Sequence, residues 1–211
     1  MRHLGIQPHL FTALCAIATL GVPALSGCSS RPAPIERADV DVGALADAWI
    51  ARLDGDGSAT LNKNELAEIA AVEQSMGSYD QDGNGQVTAE EIVARLESEV
   101  FNPRLAFMQY KCIVQQNGKP IANAEVQFTP IDELTGKLPI AKGTSNAQGL
   151  VQPVVSPDDL PKNAPNLPGF MVPGIYVISV AAPSSGSPST TVEISPGAIQ
   201  QGVPVVSLPA K

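Results

Sequence analysis

The chain has 211 residues, with 13 Lys and Arg against 21 Asp and Glu, a formal charge of -8 and 4% aromatic residues. An acidic surplus repels phosphate and leaves no basic footprint for DNA or RNA, so nucleic acid is not an expected partner. With 44% apolar residues the chain can bury a core, which suits one or two domains and argues against disorder over its whole length.

Residues 1–27 read as a secretory signal. Arg2 precedes an apolar run of 16 residues, LFTALCAIATLGVPAL, and small residues follow in Ser26 and Gly27. The run falls short of the ~20 residues that cross the hydrocarbon of a bilayer. Leu25-Ser26-Gly27-Cys28 resembles the bacterial lipobox, in which the Cys becomes the first residue of the mature chain and carries lipid on its sulfur and amino group. That resemblance implies lipidation at Cys28 and a membrane-anchored, extracytoplasmic protein, in the periplasm, at the outer membrane or on the cell surface. Two or more acyl chains give stable attachment where one is marginal. An uncleaved anchor and a cleaved, unlipidated signal are the alternatives.

Cleavage before Cys28 removes both histidines, His3 and His9, together with Cys15. Cys112 is then left without an intramolecular partner, and no disulfide framework can form. Without an imidazole, neither a Ser-His-Asp nor a Cys-His nucleophile system can be assembled, nor a zinc site of the usual kinds. Paired carboxylates could still do acid-base work, but no enzymatic activity is expected. Residues 28–38, with Ser29, Ser30, Pro32 and Pro34, make a short tether.

Residues 39–101 change to helical spacing: Val42, Leu45, Ala46, Trp49, Ile50 and Leu53 fall on one stripe. Two further stripes, Leu66, Ile69 and Val72, then Ile92, Val93 and Leu96, each follow an acidic segment. In the second such segment Asp80, Asp82 and Asn84 stand at alternate positions, Gly85 is sixth and Glu91 twelfth. Ca²⁺ takes six to eight oxygens at ~2.3 to 2.6 Å. A loop that holds it turns side chains inward at steps of two, adds one carbonyl and ends in a bidentate carboxylate on the exiting helix. Asp80, Asp82 and Asn84 would give side-chain oxygens, Gln86 its carbonyl, Thr88 a direct or water-bridged contact and Glu91 both oxygens. The first segment repeats the pattern as Asp54, Asp56, Ser58, Thr60, Asn62 and Glu65, with Ser58 at the fifth place and Ala59 at the sixth. A Cβ in the left-handed conformation costs ~1 to 2 kcal/mol, so the first site should be the weaker.

Together the two segments resemble an EF-hand pair. Only the 14 residues 66–79 separate the loops, so the two helices there must be short, with a break at Gly77-Ser78. If they fuse, residues 63–79 make a rod of ~25 Å and the loops lie too far apart to pair.

Asn102-Pro103 ends the helical spacing and the period falls to two: Met108, Tyr110, Cys112 and Val114 share a face. Asn117-Gly118 suits a tight hairpin whose return strand carries Ala124, Val126 and Phe128. Further strands are expected over 138–144, 150–155, 175–181, 190–194 and 203–208, about seven in all, with a proline-rich loop at 156–173. The stretches NGKPIANAEVQF, GTSNAQG and PGIYVISV resemble the carboxypeptidase-regulatory or transthyretin-like β-sandwich, common in bacterial, notably planctomycete, lipoproteins. The resemblance implies an Ig-like sandwich over residues 105–211 and no shared active site.

The expected class is therefore α+β with two domains, an EF-hand pair at 39–101 followed by an antiparallel β-sandwich. The expected function is a lipid-anchored, extracytoplasmic calcium-binding protein with Ca²⁺ in a structural role. A module binding a cell-envelope glycan or protein is the alternative, and a carboxylate-only hydrolase the second.

Overall fold

Asp41 opens the first helix by accepting a hydrogen bond on its side chain from Ala44 N at 3.0 Å, which satisfies one of the free amides of the first turn. The computed structural model describes residues 40–102, 106–160, 162–181, 187–199 and 203–209, all within one compact unit. The expected signal at 1–27, the lipidated Cys28 and the tether to residue 38 lie outside the described residues.

Helix α1 (Val42–Leu53) buries Ala46, Trp49 and Leu53 at steps of three and four. After the first acidic loop come strand β1 (Leu61–Asn62) and three short helices, α2 (Lys63–Leu66), α3 (Ala70–Gln74) and α4 (Met76–Tyr79). The second loop leads through β2 (Gln86–Val87) to α5 (Ala89–Arg95), which runs on into a π-helical turn at Leu96–Val100. The connector between the loops therefore does not fuse into a rod. It breaks at Ile69 (φ -123, ψ 84) and Ser75 (φ -97, ψ 7), while Gly77 and Ser78 lie inside α4. The breaks let Leu66, Ile69, Ala71, Val72 and Tyr79 all reach one core, which a straight helix of that length could not do. With the rod broken, the loops pair: Leu61 stands opposite Val87 and Asn62 opposite Gln86 in an antiparallel bridge.

The remaining chain forms β3 (Met108–Gln109), β4 (Cys112–Gln116), β5 (Lys119–Pro120), β6 (Glu125–Pro130), helix α6 (Asp132–Thr135), β7 (Ala141–Thr144), β8 (Leu150–Val151) and β9 (Val154–Val155). There follow a 3₁₀ turn (Pro157–Asp159), β10 (Phe170–Met171), β11 (Gly174–Val180), β12 (Ser189–Ile194), helix α7 (Pro196–Ile199) and β13 (Val205–Leu208). One sheet runs β12-β11-β6-β7-β9. Another runs β13-β4-β5, with β8 also on β4, and β3 pairs β10 separately. The class is α+β, with mainly antiparallel sheets.

Several details depart from the sequence reading. The strand expected from Met108 to Val114 is two, β3 and β4, in different sheets, and β10 lies within the loop expected over 156–173. Asn117 and Gly118 do turn through positive φ (52 and 73), but the return strand ends at Pro120, and the strand with Val126 and Phe128 belongs to the other sheet. The strand expected over 150–155 is two strands: Pro153 has no N–H to continue a ladder, and there the chain leaves β4 for β7. Strand β13 pairs β4 in parallel, since the chain reaches it by a crossover containing α7 rather than by a tight turn.

Side chains alternate along a strand, so β11 has two faces. Tyr176, Ile178 and Val180 join Val126, Phe128, Cys112, Val114 and Val151 in a cluster between the two sheets. Ile175 and Val177 point the other way and join Trp49, Tyr79, Ile92 and Leu96 of the helices, with Ile131 and Leu134 from the β6–β7 connection. The five-stranded sheet is thus a middle layer, and the helical core crosses the expected domain boundary near residue 102.

Candidate metal centre

Each acidic loop gathers three carboxylates. Asp54, Asp56 and Glu65 offer oxygens within 4.8 Å of one another, as do Asp80, Asp82 and Glu91. The positions follow from the local fold: Asp54 and Asp80 end helices α1 and α4, and Glu65 and Glu91 sit in the first turns of α2 and α5. Both exiting helices begin with a capping box. Asn62 accepts from Glu65 N while Glu65 Oε2 accepts from Asn62 N at 2.9 Å, and Thr88 and Glu91 repeat the exchange. The box carries the twelfth-position carboxylate back toward the loop.

Backbone amides fix the entry carboxylates. Asp54 Oδ1 accepts from Gly57 N at 2.8 Å and its Oδ2 from Ala59 N at 2.9 Å. Asp80 Oδ1 accepts from Asn84 N at 3.0 Å and its Oδ2 from Gly85 N at 2.9 Å. The bond to the sixth residue requires that residue to turn left-handed, and both do, Ala59 at φ 61 and Gly85 at φ 84. Glu65 Oε1 accepts from Gly55 N and Glu91 Oε1 from Gln81 N, each at 2.8 Å. Asp54 Oδ1, Glu65 Oε1 and Glu91 Oε1 each accept from a second amide as well, from Ser58, Asp56 and Asp82 respectively, whereas Asp54 Oδ2 and both oxygens of Asp80 accept once and keep a lone pair for a cation.

The other expected ligands are placed as follows. Asp56 Oδ1 accepts from Ser58 N and Asp82 Oδ1 from Asn84 N, each at 3.0 Å. Asn84 Oδ1 accepts from Gln86 N at 2.7 Å. Ser58 Oγ donates to the Thr60 carbonyl at 3.1 Å, so two expected oxygens of the first loop engage each other. Thr60 Oγ1 donates to Gln86 Oε1 at 2.8 Å and ties the loops side by side, a link the sequence reading did not anticipate. Asn62 and Thr88 act as helix caps on the loop side of α2 and α5.

The electrostatics suit a cation. Among the described residues, no ion pair engages any of the six carboxylates, so three like charges face one another in each loop. The amide of Ala59 holds the Asp54 carboxyl below its ordinary range; partial burial opposes it, and the amides of Gly57 and Ser58 assist. Burial pushes Glu91 upward, but hydrogen bonds from Thr88, Gln81 and Asp82 outweigh it and leave the carboxyl lowered. Both are therefore ionised, the state a metal requires. Either acidic cluster could hold a metal ion, and an all-oxygen donor set suits a hard divalent cation.

Compared with models of known families and with curated proteins, the chain matches none. Among the described residues no helix is long and apolar enough to cross a membrane. Cys112 is buried, and burial pushes its thiol up to about 12, the opposite of an activated nucleophile.

Proposed function

We propose that this protein is a lipid-anchored, extracytoplasmic calcium-binding protein in which an EF-hand pair is fixed on a β-sandwich of the carboxypeptidase-regulatory or transthyretin-like kind. Ca²⁺ is structural, and the protein has no catalytic role. The observation that carries this reading is the convergence of two carboxylate triads on loops joined through Leu61 and Val87. The spacing of oxygen donors supports calcium over smaller cations, which demand near-octahedral sites and keep their waters.

A structural role is favoured over a sensor role by composition. A sensor exposes a methionine-rich groove when calcium binds, whereas residues 39–101 contain one methionine, Met76. A structural ion stabilises the fold by mass action, by about 2.7 kcal/mol at a concentration a hundredfold above Kd.

Calcium calorimetry on the purified protein tests the reading, with E65Q and E91Q measured separately. Each substitution should abolish one binding event, E91Q the tighter. Heat unaltered by E91Q overturns the assignment of the second site. The anchor is tested apart from the metal: C28S should move the protein from the membrane fraction to the soluble one.

A further inference from the structure

The two loops differ at the residues that bracket them. Just before the first loop stands Leu53, and one turn beyond Glu65 stands Ile69, both buried and apolar. The matching residues of the second loop are Tyr79 and Arg95, and both reach one carboxylate on the sheet. The Tyr79 hydroxyl donates to Glu193 Oε2 at 3.1 Å, and Arg95 Nη2 donates to Glu193 Oε1 at 2.8 Å. Ser195 Oγ also donates to Oε1, at 2.6 Å. Glu193 is 4% exposed, and the Arg95 guanidinium lies 5.7 Å from the centre of the Tyr79 ring.

Glu193 faces the helices because of the sheet register: it stands opposite Ile175, whose side chain is in the helical core. A buried ion pair contributes little net stability against an apolar replacement of the same shape. Stability alone therefore does not account for an acid, a base and a phenol at this position. Placement does. Tyr79 adjoins Asp80 in the chain, and Arg95 lies one helical turn from Glu91 on the same side of α5.

We propose that Glu193 is a positioning residue for the second metal loop, holding through Tyr79 and Arg95 the separation of its first and last carboxylates, Asp80 and Glu91. This inference rests on the calcium reading. Linkage makes the effect reciprocal: calcium at the second loop fixes the spacing of Tyr79 and Arg95, and so tightens the contact between the helices and strand β12. Among the described residues the matching positions of the first loop, Leu53 and Ile69, are apolar and reach no such carboxylate, so the effect falls on the second loop.

Two-site calcium calorimetry on the full chain decides the matter, with wild type, E193Q and Y79F compared, and each melted with and without calcium chloride. E193Q should weaken the tighter site by about tenfold, within the usual range of coupling between sites, and Y79F by less, with the weaker site unchanged. The rise in Tm produced by calcium should shrink in both. A merely structural role would lower Tm equally with and without calcium and leave both affinities unchanged, and that result overturns the proposal. If E193Q does not fold, Y79F alone decides, since it removes one hydroxyl and keeps the ring. Wild type that binds no calcium overturns the calcium reading itself, an outcome distinct from wild type and variants that bind alike.

Discussion

The sixth position of each loop shows what one atom can do. Ala59 and Gly85 make the same bond to the entry carboxylate and take the same left-handed turn, but only Ala59 carries a Cβ into it. The strain is about 1 to 2 kcal/mol, and the extra freedom of glycine in a disordered loop takes back about 0.4 to 1 kcal/mol. A59G should therefore tighten the first site a few-fold, and calorimetry should show the gain there and not at the second site. Cys112 gives a second prediction at this scale. Its thiol is pushed up to about 12 by burial, with Tyr110 opposing. The neutral form is favoured in the fold, so its contribution is complete below the ordinary value of 9 and is lost as pH rises from there to about 12. Denaturant melts should show stability falling across that window, less steeply in C112A. The folded protein should also resist alkylation at pH 8.

Single residues were legible where their spacing follows a known pattern. The six carboxylates between Asp54 and Glu65 and between Asp80 and Glu91 could be read because the geometry a cation would need sets such a spacing, and the structure brings three of them together in each loop. Glu193 could not be read. In Thr191-Val192-Glu193-Ile194 alternation marks it as a solvent-facing polar residue, and only the layer of helices on that face makes it buried.

Among elements, the long ones followed their periodicity and the short ones followed their surroundings. Helix α1 and strand β11 carry enough apolar positions to set their own type. The connector of α2, α3 and α4 breaks where packing of Leu66, Ile69 and Tyr79 requires, not at its glycine. The passage from β8 to β9 is similar. Pro153 interrupts the ladder, and the chain crosses close over Gly143, where an added Cβ would meet the Gln152 carbonyl oxygen at 2.9 Å and Val151 Cγ1 at 2.8 Å. A backbone oxygen cannot turn aside as a side chain can. G143A should therefore destabilise by about 1 to 3 kcal/mol, the usual cost of overpacking. Its calcium affinity should be unchanged, because Gly143 stands opposite Val126 and its added Cβ would meet Val151, both in the core between the sheets and not in the helical core; a denaturant melt and a calcium titration on one sample check both.

For the whole molecule, the five-stranded sheet as a shared layer decides how the acidic loops and the rest of the fold are linked. The run Ile175-Tyr176-Val177-Ile178 was the sign of burial on both faces, though it does not say what covers the second. The cover is the helical region that carries the two acidic loops. Trp49 is fully buried, lies 5.6 Å from the Tyr79 ring and donates its Nε1 proton to the Leu134 carbonyl in α6 at 3.0 Å. Arg52 and Glu133 pair at 3.2 Å outside it, but both are solvent-exposed and add little. Because the helical core includes Ile131, Leu134 and Ile175 from the strand region, the helices cannot melt without exposing one face of the sheet. Chelation of calcium should thus lower a single transition rather than release an independent module. Each saturated site is worth about 2.7 kcal/mol at a hundredfold excess over Kd. For a chain of this size that is about 5 to 10 °C in Tm. Trp49 emission, which reports the helical core, and the amide I infrared band of the β-strands, which reports the sheets, should shift together on adding a chelator. Two transitions at different temperatures, only one moved by calcium, would show instead that the helices and the sheet unfold independently.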